Sequence, residues 1–93
     1  MPSRNRNRLT TLDALKHGDR ALVLEIDHTD PQAVARFAAR GLVPGVEVGV
    51  LRGGDPLLLR LDDSRWAVNR RDATLVHVDV VERRRSFFGG FRP

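Results

Sequence analysis

The chain has 93 residues, enough for one compact domain around one core, so one function is expected and not several. It has no cysteine, which excludes disulfides, iron-sulfur clusters, thiolate zinc sites and cysteine nucleophiles. The formal charge of +4 points towards nucleic acid, but between Leu9 and Val81 nine basic residues face eleven acidic ones, and the whole excess lies in residues 1–8 and 82–93, at +3 each.

In chain order, residues 1–8 are polar, charged and aperiodic, and read as a flexible basic arm. No apolar signal region follows it, and no run approaches the roughly 18 apolar residues of a membrane helix, so a cytoplasmic location is expected. Leu9, Leu12 and Leu15 recur every third residue and predict a helical turn that closes one end of the core before Gly18-Asp19. Arg20 to Ile26 is too apolar for clean alternation, as a central strand would be.

Asp27-His28-Thr29-Asp30-Pro31 combines turn and cap residues with a proline suited to a first helical turn. A helix is predicted from there to about Arg40, burying Val34, Phe37 and Ala38 and ending at Gly41. Val43-Pro44-Gly45-Val46 fits a type II turn, because proline sets the second position and glycine tolerates the positive φ of the third. Val46, Val48 and Val50 then alternate in a strand; Gly53-Gly54-Asp55-Pro56 breaks it; Leu57 to Leu61 and Arg65 to Val68 follow around the Asp62-Asp63-Ser64 turn. A helical turn over Asn69 to Ala73 and a last strand over Thr74 to Val81 complete a domain over residues 9–81.

Such short strands between tight turns suit a small barrel of about five strands with one short α-helix, because closure removes exposed edges. Residues 82–93 form a basic, Phe-rich tail. There Arg83, Arg84 and Arg85 precede Phe87, Phe88 and Phe91, a pairing suited to docking on an anionic inner leaflet or in a groove of a partner.

Candidate chemistry is sparse. His28, within Asp27-His28-Thr29-Asp30, could offer ligands to a metal, yet turn and cap chemistry accounts for those residues and no pair among His17, His28 and His77 has ligand spacing. Asp55, Asp62 and Asp63 sit in predicted turns, Ser64, Thr10 and Thr11 have no neighbouring base, and no phosphate-binding glycine loop is present. No catalysis is expected. Leu42 and Val43 can either pack inward or present a small apolar contact patch.

The ordered set Leu12, Leu15 and Gly18, a strand, an amphipathic helix, Gly41-Leu42-Val43-Pro44-Gly45, a valine strand, Gly54-Asp55-Pro56, and Ala73 before the last strand resembles the ferrous iron transport protein A (FeoA) family over about Leu9 to Val81. That resemblance implies a mainly β, SH3-like barrel and a cytoplasmic accessory role in bacterial ferrous iron uptake. It implies docking to the membrane transporter ferrous iron transport protein B (FeoB), whose cytoplasmic part is GTPase-like, with no catalysis and no cofactor of its own beyond the family's association with ferrous iron. Leu42, Val43, Pro44 and Gly45, the apolar pair and the turn beside it, are the candidate partner contacts.

The family often has a leucine and an arginine just ahead of the Ala73 position, where this chain has Val68 and Asn69, with Arg70 one step later. The same barrel closes metal-dependent repressors, so a stand-alone relative of that domain is an alternative, since only eight residues precede Leu9. A small basic nucleic-acid binder is another, weakened by the acidic domain. A proline-peptide groove would need several Tyr and Trp, and the chain has no Tyr and one Trp.

Overall fold

The computed structural model describes residues 8–83. The expectations for the rest of the arm and of the tail lie outside the described residues. The elements are β1 (Leu9–Thr11), a 3-10 turn (Leu12–Ala14), β2 (Arg20–Ile26), α1 (Pro31–Ala39), β3 (Glu47–Arg52), β4 (Leu57–Leu61), β5 (Ser64–Val68), α2 (Arg70–Ala73) and β6 (Val76–Glu82). All six strands join one antiparallel sheet in the order β1-β6-β2-β3-β4-β5.

Strand alternation builds the core directly. Val48 and Val50, Leu57, Leu59 and Leu61, and Val76, Val78 and Val80 all turn inward, where they meet Leu12, Leu15, Ala21, Val23 and Ile26 in a single cluster. A single sheet whose inner faces all feed one core has to curl around it. Bulges provide the bending. Between Val23 and Glu25, β2 advances two residues while β6 advances one, and Val81 is the corresponding extra residue on β6. Leu24 and Val81 are therefore turned out to solvent, each 42% exposed, although both sit in apolar runs.

Two expectations need correction. Leu9 does not belong to a helical turn; Leu9–Thr11 is a sixth strand, paired with β6 through Leu9↔Asp79, Thr10↔Val78 and Thr11↔His77, and only Leu12 and Leu15 close the core. In α1 the inward residues are Ala33 and Phe37, with Val34 partly buried at the margin, whereas Ala38 is exposed. The two buried residues are four apart and so stack on one face. Asp30 caps the helix by accepting a hydrogen bond from the Ala33 N–H at 3.0 Å, and Pro31 occupies the first turn as expected. Phe37 is then held edge-on against Trp66 of β5, ring centres 5.3 Å apart at 66°.

The buried polar residue Asp19 holds the turn before β2. Its carboxylate accepts the Lys16 N–H at 2.9 Å, while the Gly18 N–H donates to the Val50 carbonyl at 2.8 Å.

Candidate docking surface

The connector Gly41 to Val46 carries the most specific sequence signal, and each of its residues has a defined backbone task. Past the helix cap at Arg40, the Gly41 N–H donates to the Ala38 carbonyl and the Leu42 N–H reaches back to the Phe37 carbonyl, both at 2.9 Å. That pair of bonds is the Schellman ending, and it requires Gly41 in the left-handed region, at φ 89°. The two residues this ending usually brings into apolar contact, Leu42 and Phe37, both belong to the buried core.

A type II turn follows without a spacer: the Val46 N–H donates to the Val43 carbonyl at 3.2 Å and Gly45 has φ 99°. The turn is also bound to β2, with the Gly45 N–H donating to the Val23 carbonyl and the Val23 N–H to the Val46 carbonyl, both at 2.8 Å. Leu42 is thus a core residue. Val43, 37% exposed, with Pro44 and Gly45, forms a rigid apolar knuckle at the surface.

The polar candidates are separated by the fold. Asp55 and the Asp62-Asp63 pair lie at opposite ends of β4, so they form no carboxylate pair. Asp55 instead accepts the Arg70 N–H at 3.0 Å, and Asn69 accepts the Asp72 N–H at 2.8 Å; together they cap α2. The aspartate of Gly54-Asp55-Pro56 therefore makes a long-range bond, not the local turn bond its position suggests.

Asp27 accepts both the N–H and the hydroxyl of Thr29 at 2.9 Å, and these bonds, more than the nearby His77 and His28, hold its carboxyl below the usual carboxylate range. His17, His28 and His77 are all exposed, and His28 and His77 both lie near Asp27. Among the described residues no group of three or more His, Cys, Asp or Glu could hold a metal ion.

Two surface features were not evident in the sequence. Arg40 lies over the Trp66 ring at 5.1 Å, and Arg36 pairs with Asp72 at 3.0 Å, so the C-terminal half of α1 presents a cation and an aromatic edge beside α2. On the other side, Leu9 and Leu24 share a shallow groove with Glu25, His77 and Thr11 across β1, β6 and β2. Leu9 is 58% exposed. No local pattern announces this groove, because it depends on the bulge at Leu24 and on pairing between the two ends of the domain.

Of the tail residues expected to dock, Arg83 is described and sits 3.9 Å from the Asp19 carboxylate; Arg84, Arg85, Phe87, Phe88 and Phe91 lie outside the described residues.

Comparison with known proteins places these features. The FeoA domain model matches residues 10–80. Among solved structures, FeoA of Stenotrophomonas maltophilia complexed with zinc, a prokaryotic SH3 domain protein put forward as a ferrous iron transport activating factor, is 30% identical. The alignment covers 75% of this chain and 89% of that one, at a TM-score of 0.67. FeoA of Chlorobium tepidum is 28% identical, with 89% and 81% covered and a TM-score of 0.72. A manganese-dependent transcriptional repressor shares the fold at 22% identity and a TM-score of 0.73, with 78% of this chain matching 42% of that one. A comparison with curated protein sequences finds no match. The fold is the mainly β, SH3-like one.

Proposed function

The chain belongs to the FeoA domain family, and on that footing we propose that it is a non-catalytic accessory protein of ferrous iron uptake, acting by docking onto the cytoplasmic GTPase-like domain of an FeoB-type transporter. The observation that carries this is the family match across residues 10–80, joined to a fold whose specific family motif ends in an exposed, rigid turn. Val43, Pro44 and Gly45 form the contact, with Leu42 beneath them as the anchor that fixes their position.

Rigidity is what suits this knuckle to recognition. Its backbone is held on both sides, by the helix ending and by the bonds to Val23, so little conformational freedom is lost on binding. Iron in this reading is the cargo of the partner and not a resident of the domain. No helix among the described residues is long and apolar enough to cross a membrane, consistent with work at the cytoplasmic face.

The test is a binding titration of the protein against the isolated cytoplasmic domain of an FeoB transporter. Val43→Asp should weaken association at least tenfold while leaving the melting temperature unchanged, because the side chain is at the surface. Undiminished binding by this variant would remove the knuckle from the interface.

A further inference from the structure

The sheet ends in β1 on one margin and β5 on the other. With five residues against three, β5 is the longer edge, and among the described residues it pairs only with β4. Alternate residues of an antiparallel strand turn their N–H and C=O groups away from the partner strand. One side of β5 therefore carries backbone donors and acceptors with no strand beside them.

The two faces flanking this edge differ. Alternation sends Trp66 and Val68 towards the core side and Arg65 and Ala67 to the outer face. There Arg65 stands directly opposite Arg60, their Cβ atoms roughly 5 Å apart, a like-charged cross-strand pair of the kind that costs stability. A bulge in β3 adds a third arginine. Alternation from Val48 and Val50 would send Arg52 inward, but the register shift sets it opposite Leu58, exposed and diagonal to Arg60. None of Arg52, Arg60 and Arg65 forms an ion pair with a described carboxylate, and Glu47 of the same β3 is held by Arg20.

On the other face the cations are already engaged. A cleft between α1 and β5 is lined by Ala39, Arg40, Trp66 and Val68, where Arg40 lies over the Trp66 ring and Arg36 is paired with Asp72. A strand added to β5 would alternate in its turn, one set of side chains over the unpaired arginines and the other in this cleft. Unpaired arginines suit carboxylates; an aromatic floor beside engaged cations suits apolar groups. A second copy of β5 would bring the arginines of one chain onto those of the other, which disfavours self-pairing. A nucleic-acid backbone would meet the exposed Asp62 and Asp63 in the turn between Arg60 and Arg65.

We propose that the β5 edge binds, by strand addition, an extended segment of a protein partner in which acidic and apolar residues alternate. The acids face Arg52, Arg60 and Arg65, and the apolar side chains enter the cleft at Trp66. This concerns a strand edge and not the Val43 turn, and it stands whether or not that turn meets a transporter.

The test is titration of the full chain with a synthetic decapeptide of alternating Glu and Val, followed by the fluorescence of Trp66, the sole tryptophan. Saturable binding that about 0.5 M salt weakens is expected. Arg60→Gln with Arg65→Gln should lower the affinity roughly fivefold or more, while the melting temperature holds or rises because a like-charged pair is removed. Of two N-methylated peptides, one blocked at every Glu amide and one at every Val amide, the one whose blocked amides face β5 should fail to bind and the other should bind normally.

Equal binding of the two methylated peptides would overturn strand addition, and equal binding of a Lys and Val peptide, or an unaffected double variant, would overturn the charge pairing. No peptide binding at all would overturn the site and leave the arginines as a guard against edge-to-edge association. A dimer lost in the double variant would give the edge to a second copy, and tighter binding of duplex DNA, lost in the same variant, would give the face to nucleic acid; either result overturns the proposal.

Discussion

Replacing Phe37 by Ala removes the largest side chain in the core, a ring 1% exposed that meets Trp66 edge-on. A buried Phe→Ala change costs about 3 to 5 kcal/mol through lost transfer energy and the cavity left behind. The edge-on ring pair contributes about 0.5 to 1.5 kcal/mol of that. A domain of this size has only about 4 to 11 kcal/mol in total, so the variant should be at the limit of folding. Urea unfolding is the assay, followed by the fluorescence of Trp66, the sole tryptophan and itself a neighbour of the deleted ring. The midpoint should fall by roughly 3 M or the folded baseline disappear. Two milder variants test the helix phase: Ala33→Leu should cost about 1 to 3 kcal/mol by overpacking, whereas Ala38→Leu should lie within about 0.5 kcal/mol of the parent. Equal costs at 33 and 38, or a stable Phe37→Ala protein, would refute the packing of α1 described above.

Gly45→Val should cost about 1 to 3 kcal/mol in thermal unfolding through backbone strain alone, since its φ is 99° and nothing lies within 4 Å of the added Cβ. Asp27, whose carboxyl titrates below its usual range because Thr29 donates to its charged form, stabilises the fold above the unfolded-state carboxylate pKa and ceases to do so as pH falls through the lower folded-state value. Melting curves of the parent and Asp27→Asn should therefore differ at pH 6 and converge towards pH 2. Calorimetric titration with ferrous iron under anaerobic conditions should give no stoichiometric binding, and His28→Ala should leave the trace unchanged; saturable micromolar binding lost in that variant would restore the Asp27 to Asp30 turn as a metal site.

The parts of the fold legible in the sequence were those that one stretch of chain decides by itself. Gly41 and Gly45 need positive φ, Pro31 and Asp30 start a helix, and the valines and leucines of β3 and β4 alternate; all of these survive in the structure. The register of α1 is not legible, because Ala33 and Ala38 are chemically identical and only the packing of the helix through Phe37 against Trp66 chooses between them. Leu9 and Leu24 stand in apolar runs, but their exposure follows from the pairing with β6 and from a bulge, neither of which leaves a local trace. At the candidate site the motif was readable while the division of labour was not: Leu42 and Val43 are adjacent and similar, and only the Schellman geometry sends one inward and the other out. The hydrogen bond from Arg70 to Asp55 was likewise invisible, since it links two turns fifteen residues apart.

The order of the strands also determines when the fold can form. The β4–β5 turn joins Leu61 to Ser64, and the β3–β4 pair is nearly as local, so this meander can assemble as soon as it leaves the ribosome. By contrast β2 has to wait for β6: the bond between Arg20 and Glu82 spans 62 residues. Loop-closure entropy rises as about 1.5 RT ln n, so that contact demands roughly 2.5 kcal/mol more than the three-residue closure at Ser64. Pairing of β6 between β1 and β2 is therefore the late, rate-setting event, and until it occurs a nascent chain holds β2 with one edge unoccupied. The same late event seats β1, whose partner in the sheet is β6.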